Sequence, residues 1–107
     1  MKYAIKFTLV AKNDLKDIAV YIAEQSKEKS IALRFIEELQ NKITRLADFP
    51  LTGACPSDRL LRSMGYRFLV HKEYLIFYTV NDALKEIYIE AVFNSKKDYM
   101  RVLKKLI

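Results

Sequence analysis

Arg62, Arg67, His71 and Lys72 all fall in LLRSMGYRFLVHKEYLIFYTV (Leu60–Val80), a stretch that otherwise reads as sheet. Guanidinium and ammonium groups hold phosphate oxygens, and an imidazole exchanges protons near neutral pH. A second basic group closes the chain: from Asn94 onward Lys96, Lys97, Arg101, Lys104 and Lys105 accompany a single carboxylate, Asp98. Basic side chains interleaved with tyrosines suit nucleic acid, because cations neutralise phosphates while phenol rings stack on bases. The same residues also fit a solvated sheet face with cross-strand pairs such as Arg67 with Glu90.

Composition narrows the setting. The 107 residues (1–107) suit one small domain with one core. Half of them are hydrophobic, so disorder is not expected. Lys plus Arg number 19 against 13 Asp plus Glu, a net charge of +6. Residues 1–50 hold 9 basic and 7 acidic groups, and residues 51–107 hold 10 and 6, so the second half carries most of the excess. A positive field favours an anionic partner (nucleic acid, an acidic protein segment or a lipid surface) or simply keeps the chain soluble. One Cys and one His exclude an internal disulfide and a Cys/His zinc site. Cys55, in a loop between Ala54 and Pro56, reads as incidental, and no cofactor is expected. No apolar run approaches a membrane span and residues 1–10 alternate, which makes the cytoplasm the simplest address, with no membrane partner.

Periodicity supplies the elements that must position these groups. Tyr3, Ile5, Phe7 and Leu9 alternate with polar or small residues and predict an opening strand. Ala11, Leu15, Ile18, Ala19 and Ile22 then fall at helical spacing, with Asn13 and Asp14 suiting a helix start. Ser26 interrupts the run and can cap a second helix, whose stripe is Ala32, Phe35, Ile36, Leu39, Ile43 and Leu46. Pro50 ends it. So short a link predicts an antiparallel hairpin whose stripes are core. Both prolines and both glycines lie in Phe49–Gly65, a loop with a short helical turn at Ser57–Leu61. Three strands follow, Tyr66–Val70, Tyr74–Val80 and Glu86–Phe93, joined by links that permit only antiparallel pairing. The expected fold is α+β: an N-terminal strand, an antiparallel helical hairpin and a three-stranded antiparallel meander in one sheet.

Strand alternation assigns faces. One side of the sheet takes the hairpin. The other is expected to collect Arg67, His71, Tyr88 and Glu90, with Tyr74 or Tyr78 according to register, Arg62 just before and Lys96 and Lys97 just after.

Four segments in this order carry a family resemblance: AKNDLKDIAVYIAEQS (Ala11–Ser26), IALRFIEELQNKITRLADFPLTG (Ile31–Gly53), LLRSMGYRFLVHKEYLIFYTV (Leu60–Val80) and EIYIEAVFNSKKDYMRVL (Glu86–Leu103). Taken together, and above all through FPLTG, LLR and KKDY, the chain resembles the RelE/ParE superfamily of toxins from type II toxin–antitoxin, or plasmid stabilisation, systems. The resemblance implies a microbial-ribonuclease-like toxin that arrests growth and is neutralised by a cognate antitoxin, which wraps an extended segment around it.

Two activities belong to that superfamily. RelE-like members act as mRNA interferases on the ribosome, assisting attack of a ribose 2′-OH on the adjacent phosphate, which requires a proton acceptor, a cation and an acid. ParE-like members inhibit DNA gyrase and have no nuclease site. By the resemblance, Arg62 matches an arginine of the loop-to-strand segment, Lys96 and Lys97 match the terminal basic motif, and Tyr99 matches the aromatic after it. Leu75 stands where many members have Arg, and Asn94 where many have His. The expectation is RNA binding and ribosome-dependent cleavage through Arg62, Arg67, His71, Lys96, Lys97 and Tyr99. The alternative is gyrase inhibition, suggested by the missing Arg and His.

Overall fold

A computed structural model of the chain describes residues 2–96. It contains β1 (Ala4–Phe7), α1 (Leu9–Ser26), α2 (Lys29–Thr44), a short 3-10 turn (Arg45–Ala47), α3 (Arg59–Ser63), β2 (Arg67–His71), β3 (Tyr74–Asn81) and β4 (Glu86–Asn94). The strands form one mixed sheet in the order β1-β4-β3-β2. The meander is antiparallel as its short links require, and β1 adds in parallel along β4, with Ala4 opposite Glu86 and Phe7 opposite Ile89. The expected α+β architecture is what the chain adopts.

The boundary between β1 and α1 lies earlier than the sequence suggests. Thr8 caps the helix: its Oγ1 accepts from Ala11 N at 3.1 Å and donates to Glu90 O at 3.0 Å. A β-region Thr whose hydroxyl oxygen accepts from the first turn is a sufficient cap, so Leu9 begins the helix instead of ending the strand. Asp14 is left for another task, accepting from Val92 N at 2.9 Å and tying α1 to β4. Nor does Ser26 cap the second helix. Its Oγ donates to Ile22 O at 2.7 Å, and Lys27 ends α1 in the left-handed conformation.

The stripe expected as core is core. Phe35, Leu39, Ile43 and Leu46 meet Ile18 and Ala11 of α1 and the sheet residues Tyr74, Ile76, Tyr78, Ile87, Ile89 and Val92. Several of these are fully inaccessible, and each such aliphatic side chain contributes about 1.5–3 kcal/mol of transfer free energy.

The face assignment of β2 is reversed from the expectation. Arg67, Leu69 and His71 pair with Tyr78, Ile76 and Tyr74, all of which point into the helical layer. Arg67 and His71 therefore lie on the covered side. β3 decides this, because its Tyr74, Ile76 and Tyr78 bury against the hairpin and cross-strand partners share a face. The opposite side is apolar: Phe68, Leu75, Phe77, Ala91 and Phe93 pack with Tyr66 and with Leu61 of α3. Phe77 stacks on both Phe68 and Phe93 with centroids 5.4 Å apart. Ala91 and Phe93 reach this side because the β3–β4 register shifts at Phe77/Tyr78, which inserts Glu90 as an extra residue.

Tyr78 ties the loop to the sheet. Fully buried in β3, its hydroxyl donates to Pro50 O at 2.8 Å and accepts from Gly53 N at 2.9 Å. A Cβ at Gly53 would sit 2.5 Å from that oxygen, so only glycine allows the approach. Tyr78→Phe strands a buried amide and a carbonyl and is expected to cost about 1–3 kcal/mol in urea unfolding. Gly53→Ala should cost at least as much.

Candidate functional site

Of the six residues singled out by sequence, the four that are described occupy separate places. Arg67 opens β2 with its guanidinium turned to the loop, donating from Nη1 to Gly53 O at 3.0 Å and Leu51 O at 3.4 Å. Arg62 lies on α3, a helix capped by Asp58, and donates from Nε to Pro56 O at 3.1 Å. Lys96 is exposed just beyond β4, its backbone N–H donating to Asn94 Oδ1 at 2.9 Å. Lys97 and Tyr99 lie outside the described residues. Arg67 and Arg62 are thus each engaged with backbone carbonyls, which positions loop and helix.

His71 ends β2 with 11% of its side chain exposed. Its ring packs at 5.2 Å from that of Phe35, and its Nε2 stands 4.0 Å from Glu38 Oε1 with no hydrogen-bond partner among the described residues. Lys72, next in sequence, holds the same carboxylate at 3.3 Å and lies over the Phe35 ring, while Lys42 donates to Val70 O at 2.6 Å. Burial lowers the imidazole pKa from its usual value, Lys42 and Lys72 lower it further, and Glu38 opposes them. A neutral, largely buried ring of this kind is part of the packing between α2 and β2.

Of the groups expected beside these cations, Tyr74 and Tyr78 lie opposite His71 and Arg67, whereas Tyr88 and Glu90 are elsewhere. Tyr88 donates to Glu86 Oε1 at 2.8 Å, and Glu86 pairs with Lys6. Glu90, which acts on Tyr66 and Tyr88, has its carboxyl pushed up by burial. Arg67 does not pair with it, since the two side chains occupy opposite faces. Near Lys96, Asp14, Asp17, Tyr21, Glu73, Tyr74 and Asn94 line a groove of about 610 Å³ between α1 and the sheet. Among the described residues no three His, Cys, Asp or Glu side chains are grouped to hold a metal, and no helix is long and apolar enough to cross a membrane.

One feature went unread in the sequence. Phe49 and Leu51 are 67% and 61% exposed, on the loop that Tyr78 and Arg67 hold down. The available signal was FPLTG itself: two large apolar residues around a proline, followed by a glycine.

Comparison with known proteins bears on the family and the fold. A family model described as the ParE toxin of the type II toxin–antitoxin system parDE matches residues 5–99. Among solved structures, the chromosomal ParDE system of P. aeruginosa superposes with a TM-score of 0.71 at 20% identity, covering 87% of this chain and 96% of that one. The RelBE2 toxin–antitoxin complex of Mycobacterium tuberculosis gives 0.59 at 21% identity, over 88% and 99%. The isolated RelE toxin of E. coli gives 0.58 at 14% identity, over 98% and 99%. No curated protein matches by sequence. The fold is that of the RelE/ParE toxins. Within that superfamily, the chain belongs to the ParE toxin family of type II toxin–antitoxin systems.

His71 makes stability depend on pH. Its native pKa lies below the unfolded value of about 6.5, so the neutral ring stabilises the fold above that pH, and this stabilisation is lost as pH falls toward the lowered native value. Melting temperatures from pH 7.5 to 5 should decline more steeply for the wild type than for His71→Gln.

Proposed function

We propose that this toxin arrests growth by binding a protein, DNA gyrase, without cutting RNA, and that a cognate antitoxin neutralises it. The observation that carries the reading is the engagement of Arg67 and His71 on the covered side of the sheet. A phosphate-cleaving site needs cations and a proton-transfer group within hydrogen-bond reach of one reacting atom. Here the sole imidazole is packed on Phe35 and kept neutral, while Arg67 holds the loop carbonyls. The match to the ParE family model over residues 5–99 supports the same reading. So do Leu75 and Asn94, which put an alkyl chain and an amide where, by the resemblance, many members have Arg and His. An amide does not titrate near neutral pH and so cannot serve as a general acid or base.

The antitoxin partner is supported by the family and by the ParDE and RelBE2 structures, both toxin–antitoxin assemblies by name. An acidic extended segment would complement a chain of net charge +6 and become ordered on binding.

Ribosome-dependent mRNA cleavage is the competing reading and would draw on Arg62, Lys96, Lys97 and Tyr99. Two assays on the purified toxin separate the two. Micromolar toxin is expected to alter supercoiling by gyrase and to leave no new 5′ ends on mRNA in a translating extract. New 5′ ends with unaltered supercoiling would overturn the gyrase reading. His71→Gln is expected to keep gyrase inhibition within about threefold of the wild type, as for a residue outside an interface hot spot.

A further inference from the structure

We infer that the loop tip carrying Phe49 and Leu51 is the element through which the toxin grips its target, inserting both side chains into an apolar cleft rimmed by carboxylates. The inference rests on the proposal that the toxin acts by binding a protein, and it names the contact.

Rigidity is the first argument. An exposed loop normally loses conformational freedom on binding, which weakens the complex. Here that freedom is already gone. Tyr78 donates to Pro50 O and accepts from Gly53 N, and Arg67 donates to Gly53 O at 3.0 Å. Thr52 donates to Phe49 O through both its N–H (3.2 Å) and its hydroxyl (2.7 Å), and Phe49 N donates to Arg45 O at 3.1 Å. Ala54 exchanges two backbone hydrogen bonds with Phe68, each 2.9 Å. Every residue from Phe49 to Ala54 is therefore held at one backbone group or more. The side chains of Phe49 and Leu51 nonetheless point outward, 67% and 61% exposed. The fold fixes the backbone and leaves its two large apolar groups in water.

Composition is the second argument. Of the six arginines in the chain, four (Arg45, Arg59, Arg62 and Arg67) lie between residues 45 and 67, while none of the thirteen lysines does. Aromatic and arginine side chains dominate the energetics of protein interfaces, and lysine is depleted there. Arg45 is exposed one turn before Phe49, and Arg67 lies under the loop. Of the two carboxylates in the segment, Asp48 is exposed and Asp58 is spent on capping α3. The local excess is thus positive, and the complementary surface is apolar at its centre and acidic at its rim.

The test is a double variant, Phe49→Ser with Leu51→Ser, compared with the conservative Phe49→Leu. Both changes are at exposed positions, so melting temperatures should stay within a few degrees of wild type. Three readouts are taken: growth after induction, gyrase supercoiling with purified toxin, and neutralisation by the co-expressed antitoxin. The double variant is expected to lose growth arrest and to need at least about tenfold more protein for the same effect on supercoiling. Phe49→Leu should remain active, and the antitoxin should still bind both. A folded double variant that arrests growth like the wild type overturns the inference. So does one that still arrests growth but escapes the antitoxin, because the tip would then be an antitoxin contact. If wild-type toxin arrests growth without affecting gyrase, the gyrase reading fails by itself. Growth arrest by the double variant then decides whether the tip engages another protein.

Discussion

A buried phenol cannot be left without partners, and in this chain that requirement organises one whole side of the molecule. Tyr78 is fully enclosed in the central strand β3, where water cannot reach its hydroxyl. The loop between the helical layer and α3 must therefore pass close enough to supply a donor and an acceptor, and Gly53 and Pro50 do so. The approach is possible because residue 53 has no side chain. Arg67, opposite Tyr78 in the register, secures the same loop from the neighbouring strand. Sheet, loop and helical layer are thus joined at one point by polar groups surrounded by hydrocarbon, where each hydrogen bond is strengthened by the low local dielectric.

The sheet is two-sided, and its two sides do different work. The side toward α1 and α2 holds the larger apolar cluster. The other holds a phenylalanine stack closed by Leu61 and Tyr66. Cations near either surface act largely as structural ties: Arg62 fastens α3 to Pro56, Lys42 covers a carbonyl on the outer edge of β2, and Lys6 neutralises Glu86. Several of the cations that suggest an anion-binding surface are thus fixed in place by the fold, although those bonded to carbonyls keep their charge.

Much of the fold was legible in the sequence. The change of period from two to 3.6 near residue 10 and back near residue 66 marks the elements, and short links fix the meander. The orientation of β2 was not legible, because Tyr66, Phe68 and Val70 form a more apolar set than Arg67, Leu69 and His71, yet the latter face the helices. Pairing with β3 settles that choice, and alternation within one strand carries no information about its partner. The extra residue at Glu90 was equally hidden, since a bulge leaves the composition of a strand unchanged. For the site, sequence identified residue types suited to gripping an anion. Whether a guanidinium is free or already occupied by a carbonyl depends on loops whose path has no periodic signal.

The pairing of β1 with β4 has a consequence for how the toxin comes into being. Ala4 lies against Glu86 and Phe7 against Ile89, so the first strand made waits for the last before it can join the sheet. Contacts that distant in sequence raise the contact order and slow closure of the fold. A nascent chain still lacking its final quarter has no place to lay that strand, and the buried faces of β1 and β3 stay open. Such a chain is unfinished, and the complete sheet exists only once β4 has been made.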